Sequence, residues 1–288
     1  MVIGLQPMMQ SQEIRIEPST ILSIKISLFG LDLMLSNNLD NSIIDYKKHF
    51  FKNKILTENL SKELDSFLNQ SKLDLSNIIN IKLIVSNKLS CLVPNELFDK
   101  KLSLDYLKFN SKLIENDFAA NDYIEELESF NVYLPFINVN NYLIERFGSF
   151  EYYHYSTVLL KRILKMTSNQ NRTMLFANIE NQNFQIIILK NKNLLYYNNF
   201  EYQTKEDILY FLLFVIKQNK ELSSETKLIL LGYISKNDKT FTLISKFIKN
   251  IEIYEISKLS ISDKVLNKTS IDYIISWELF QGKIKGKE

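Results

Sequence analysis

Two stretches of the chain open in the same way, and that recurrence constrains the fold more than any other feature of the sequence. In 22–28, Ile24, Ile26 and Leu28 alternate with Ser23, Lys25 and Ser27, the period of two expected of a strand with one buried face. After Phe29 and Gly30, Leu31, Leu33 and Leu35 alternate with Asp32 and Ser36, so the pair reads as a β-hairpin. Gly30 is expected to take the left-handed turn position, since Phe29 would be strained there. The pattern returns at 174–179 and 184–189, two strands joined by Glu180-Asn181-Gln182-Asn183, with a third strand at 194–200.

Each opening leads into helices alternating with strands. In the first half the spacing predicts a helix over 58–69, strands at 79–85 and 90–93, and a turn into a short helix after Pro94. Further strands are expected at 112–114, 130–134 and 152–155, and helices at 139–147 and 157–166 with Ser156 as N-cap of the second. The polar run 167–172 marks the boundary between halves. In the second half Thr204 and Asp207 form a capping box opening a helix over 205–219. A strand at 227–231 ending at Gly232, a helix at 239–249, a strand at 251–256 and a closing helix at 270–280 with Gly282 beyond it complete the reading. The expected organisation is an irregular arm at 1–19, an α/β domain at 20–168, a second at 172–257, and a closing helix with basic tail at 258–288.

Composition excludes several classes. Hydrophobic residues at 45% and charged residues at 24% exclude a disordered chain. A single cysteine excludes a disulfide framework, and with two histidines it leaves almost no capacity for a transition-metal site. A net charge of +2 lacks the basic footprint of a nucleic-acid binder, despite aromatic runs such as Tyr152-Tyr153-His154-Tyr155 and Tyr196-Tyr197. The longest apolar run, 208–216, is too short for the about 20 residues of a membrane span, and the N-terminus lacks a signal pattern. The expected location is cytoplasmic, without membrane insertion.

The hairpin LSIKISLFGLDLML (22–35), the stretches KLSCLVPNELF (88–98) and EYYHYSTVLL (151–160), and LILLGYIS (228–235) resemble domain-of-unknown-function family 3822, a bacterial family. The resemblance implies two ribonuclease-H-like α/β domains in the actin/sugar-kinase/heat-shock ATPase arrangement, similar to the pilus-assembly actin-like proteins. It implies no catalytic residues. The pilus-assembly relatives bind a partner peptide on their first domain, so the edge of the sheet that holds the 22–35 hairpin is a candidate surface for strand addition.

The same resemblance defines a test for ATP. Actin-like ATPases hold the phosphates on two facing hairpin loops, whose glycines admit the backbone to the phosphate and whose acidic residues organise Mg²⁺. Here the first loop, Ser27-Leu28-Phe29-Gly30, has one glycine, a bulky Phe29 and no carboxylate. The second, starting at Asn178 and Glu180, has no glycine, and the adenosine-side motif is reduced to Gly232 and Tyr233. ATP with Mg²⁺ is therefore disfavoured and no cofactor is expected. A nuclease reading needs converging acids, whereas Asp32, Asp45, Glu58 and Glu63 read as solvated surface groups.

Cys91 is expected to point into a core with Leu89 and Val93 as a structural thiol. His154, a candidate for lining the cleft beside Ser156, has no third partner and reads as hydrogen-bonded structure. The function favoured by the sequence is non-catalytic binding of a protein partner. The alternatives are a divergent ATP-binding protein or ATPase using the interdomain cleft, and an RNA-associated factor.

Overall fold

A computed structural model describes residues 20–39, 42–109, 113, 117–167, 172–223 and 225–254. The expectations for the N-terminal arm, most of the 112–114 strand, most of the polar break, the 270–280 helix and the basic tail lie outside the described residues.

In the first half β1 (Thr20–Ser27), β2 (Gly30–Asn37) and β3 (Ile43–Phe50) form an antiparallel meander, followed by α1 (Leu60–Gln70) and β4 (Ile78–Ser86). A smaller antiparallel sheet then intervenes, made of β5 (Ser90–Pro94), β6 (Ala120–Ile124) and β7 (Ser129–Tyr133), with α2 (Ser103–Leu107) between β5 and β6 in the chain. The chain returns through α3 (Ile137–Phe147) to β8 (Glu151–His154) and enters α4 (Tyr155–Met166). The second half runs β9 (Thr173–Ile179), β10 (Asn183–Lys190), β11 (Asn193–Glu201), α5 (Lys205–Gln218), β12 (Leu228–Gly232), α6 (Lys239–Phe247) and β13 (Ile251–Ile253). The strand orders, β3-β2-β1-β4-β8 and β11-β10-β9-β12-β13, superpose element for element, so the duplication in pattern is a duplication in topology.

One face of the first sheet, with Leu22, Ile24, Ile26, Leu31 and Leu33, packs on α1 and α3. The outer face of the second, with Leu175, Ala177 and Ile186, packs on α5 and α6. Between the sheets lies α4, whose Val158, Leu159, Leu160 and Ile163 join Ile84 and Tyr153 of the first sheet to Phe176 and Ile187 of the second.

This shared layer corrects the one-faced reading of the first hairpin. β1 is buried on both sides, Ser23 and Lys25 included, because its polar face meets α4 and the second half instead of water. The hairpin also has no free edge, since β1 pairs with β4 and β2 with β3. Gly30 does not take a positive φ. It is glycine because a Cβ there would lie 2.6 Å from the His49 carbonyl oxygen as β3 crosses.

Candidate functional site

The β1–β2 and β9–β10 turns face each other between the halves, and what fills the gap decides what the site can bind. The Phe29 amide donates to Ser27 Oγ at 3.1 Å, and Ser27 Oγ donates to the Gly30 carbonyl at 3.2 Å, so the first turn consumes its own polar groups. Opposite, the Glu180 amide donates to the Asn183 carbonyl at 2.8 Å, and Asn181 Nδ2 reaches across to the Phe29 carbonyl at 3.2 Å.

At the centre, Lys25 Nζ of β1 donates to Glu180 Oε1, with both side chains buried. Asp32 Oδ2 of β2 lies 4.0 Å from the same ammonium, and its Oδ1 accepts from Tyr46 Oη at 2.9 Å. Glu180 is held from behind: Gln185 Nε2 donates to its Oε2 at 2.9 Å, Asn178 Nδ2 donates to Gln185 Oε1 at 2.6 Å and to Tyr155 Oη at 2.8 Å. The Tyr155 ring in turn carries Lys25 Nζ at 4.3 Å from its centroid, closing a ring of contacts. At the Gly232-Tyr233 end of the gap, Tyr233 is covered by Lys48 Nζ at 3.3 Å from its centroid and by the edge of Phe50 at 5.4 Å. Gly232 has φ +85 and seats Tyr233, whose amide donates to the Ile179 carbonyl at 2.7 Å.

The space left between the turns is about 20 Å³, room for about one water. The amides of Phe29, Glu180 and Tyr233 are already donated, and the acidic group of the second turn is neutralised by Lys25 of β1.

Of the residues the sequence singled out, Ser27, Phe29, Gly30, Glu180 and Tyr233 line this space. Asn178 and His154 do not: both are fully buried. Asn178 supports Gln185 from below, and Gly232 shapes the approach to Tyr233 without lining the space. Asp32 is a buried partner of lysines, contrary to its reading as a surface acid, while Glu58 is exposed and Glu63 partly so. Sequence reasoning missed Lys25, Ser86, Asn181 and Asn183. The available signal was Lys25 itself, a charge in the first strand of a hairpin flanked by apolar positions.

His154 sits in a second buried network. Its backbone amide donates to Asp122 Oδ2 at 2.7 Å, and its Nδ1 accepts from the Ser156 amide at 3.2 Å. His154, not Ser156, is therefore the N-cap of α4. Nε2 lies 3.2 Å from the Asn87 carbonyl, which assigns the proton to Nε2 and the acceptor role to Nδ1. Burial pushes the imidazole down to about 3. The unfolded chain therefore binds a proton near the ordinary histidine value that the folded chain refuses until far lower pH. Stability is full above about 6.5 and falls as the pH drops from there towards 3, at about 1.4 kcal/mol per pH unit for this group. Urea unfolding between pH 7 and pH 4 is expected to show this slope, and His154→Gln to flatten it.

Cys91 packs with Leu89 and Val93 as expected, half-buried, and burial pushes its thiol up to about 11. The aromatic runs that suggested base stacking are largely core: Tyr153 and Tyr155 are buried, and Tyr197 hydrogen-bonds Ser156. Among the described residues no cluster of three metal-ligating side chains occurs, and no helix is long and apolar enough to cross a membrane.

Two equivalent mixed sheets with facing hairpin turns define an actin-like ATPase fold. A crystal structure from Bacteroides thetaiotaomicron, of a protein with actin-like ATPase fold and unknown function, is similar at TM-score 0.75 and 20% identity, covering 92% of this chain and 96% of that one. The PilM–PilN type IV pilus biogenesis complex is similar at TM-score 0.60 and 11% identity, covering 92% of this chain and 99% of that one. The profile of the family described as protein of unknown function, DUF3822, matches residues 9–251, and the chain belongs to that family. No curated protein matches it.

Proposed function

We propose that this protein is a non-hydrolysing actin-like scaffold that acts by binding a protein partner, its nucleotide cleft filled by its own side chains. The observation that carries the reading is the buried Lys25–Glu180 pair spanning the two phosphate turns, with about 20 Å³ beside it. The similarity to PilM, found in complex with PilN, supports the partner half of the proposal. So does an exposed apolar groove of about 350 Å³ lined by Phe118, Ile137, Ile144, Phe150 and Tyr152, beside the edge strand β8. Pairing leaves β3 and β8 as the edges of the sheet that holds the first hairpin among the described residues, and strand addition would use one of them.

The test is a melting assay followed by capture. A nucleotide at about 100 times its Kd stabilises by about 2.7 kcal/mol, roughly 5 °C or more for a chain of this size. Millimolar ATP with Mg²⁺ is expected to leave the melting temperature unchanged, and a clear rise would overturn the proposal. Capture with the wild type and with Ile144→Asp is expected to recover one protein with the first and not the second. Recovery of nothing by either would count against a partner.

A further inference from the structure

We infer that Lys25 is a resident counterion, its ammonium standing where two carboxylates from opposite halves would otherwise hold a divalent cation. The inference rests on the closed cleft proposed above and adds the reason that no metal is needed there.

Asp32 and Glu180 project into the same space from β2 and from the end of β9, and both are at least nine-tenths buried. Two carboxylates facing each other away from water repel strongly and must be matched by positive charge. Each has one oxygen engaged by its own half: Asp32 Oδ1 by Tyr46 Oη, Glu180 Oε2 by Gln185 Nε2. The other oxygens, Asp32 Oδ2 and Glu180 Oε1, are directed at Lys25 Nζ. The remaining lining mixes oxygen donors with the apolar Phe29, Leu31 and Phe50. Ser27, Ser86 and Asn183 line the space, and Asn183 Oδ1 is buried without a hydrogen-bond partner. Oxygen donors of this kind suit Mg²⁺ or Mn²⁺, and about 20 Å³ is left beside the ammonium. A lysine supplies the charge covalently, at fixed stoichiometry, and excludes the ion. Lys48, 3.9 Å from Asp32 Oδ1, balances the second negative charge from the other side.

The test compares melting of the wild type, Lys25→Met and the double variant Lys25→Met/Glu180→Gln, without nucleotide, in EDTA and in millimolar MnCl₂. Lys25→Met is expected to melt lower than wild type in EDTA and to rise by about 3 °C or more with Mn²⁺. Wild type and the double variant are expected to rise by less than about 1 °C. A rise in Lys25→Met no larger than in wild type overturns the inference, as does an equal rise in the double variant. If Lys25→Met is insoluble, refolding is repeated with and without MnCl₂: recovery only with the ion supports the inference, and recovery with neither overturns it. Wild-type stabilisation by Mg·ATP would overturn the proposed function and leave this nucleotide-free comparison standing, so the two failures are distinguishable.

Discussion

Gly232→Ala is expected to destabilise the protein by more than about 3 kcal/mol, read as a fall in the urea midpoint with unchanged slope. Gly232 has φ +85, which costs an L-residue about 1–2 kcal/mol by itself. The larger effect is steric. An added Cβ would lie 2.0 Å from the Ile179 carbonyl oxygen and 2.9 Å from that residue's carbonyl carbon and amide nitrogen. These are backbone atoms of β9, which is paired to β12 at this point, so no side chain can rotate away. Relief requires the strands to part, and with them goes the hydrogen bond from the Tyr233 amide to Ile179 that seats the ring in the cleft. Gly148 supplies the control. It also has φ +85, but a Cβ there meets nothing within 4 Å, so Gly148→Ala should show only the conformational cost of about 1–2 kcal/mol. Equal losses for the two variants would show that the clash is relieved cheaply.

Asp122→Ala is expected to cost about 3–5 kcal/mol. The carboxylate is 1% exposed and accepts from Tyr133 Oη at 3.1 Å, from the His154 amide at 2.7 Å and from Thr157 Oγ1 at 2.9 Å. Removing it strands three buried donors, each of which then carries its desolvation cost unmet. These bonds join β6 to β7, to the end of β8 and to the first turn of α4, so the loss loosens the small sheet from the layer between the halves. Hydrogen exchange should therefore accelerate in β5, β6 and β7 before it does in β1 or β4. Asp122→Asn keeps one acceptor and should lose less. An alanine variant with wild-type stability would mean that water replaces the carboxylate at all three donors.

The alternating strands and amphipathic helices were legible in the sequence because each presents one apolar stripe. The hairpin 22–35 is of this kind, while 174–189 was marked by its apolar runs and the start of α5 by the Thr204–Asp207 capping box. β3 was not legible: Ile43–Phe50 is an edge strand whose burial does not alternate, and its place is set by pairing with β2. β6 was not legible for the opposite reason. Its buried positions alternate correctly, but one of them is Asp122, a charge whose partners come from three other elements. The site divides in the same way. The turns were found from the paired strand patterns that flank them, whereas the residues that close the cleft, Lys25 and Asp32, were read as facing water because the second buried face of β1 exists only once α4 and the other half are in place.

The Lys25–Glu180 contact joins positions 155 apart in the chain. Loss of Lys25 alone leaves the Glu180 charge in the interior without its counterion, whereas losing both in step is close to neutral. The two codons are thus bound to a common fate during descent: kin that have dispensed with the lysine should have dispensed with the glutamate too, and a tally of paired genotypes would reveal whether the plug was acquired once or repeatedly.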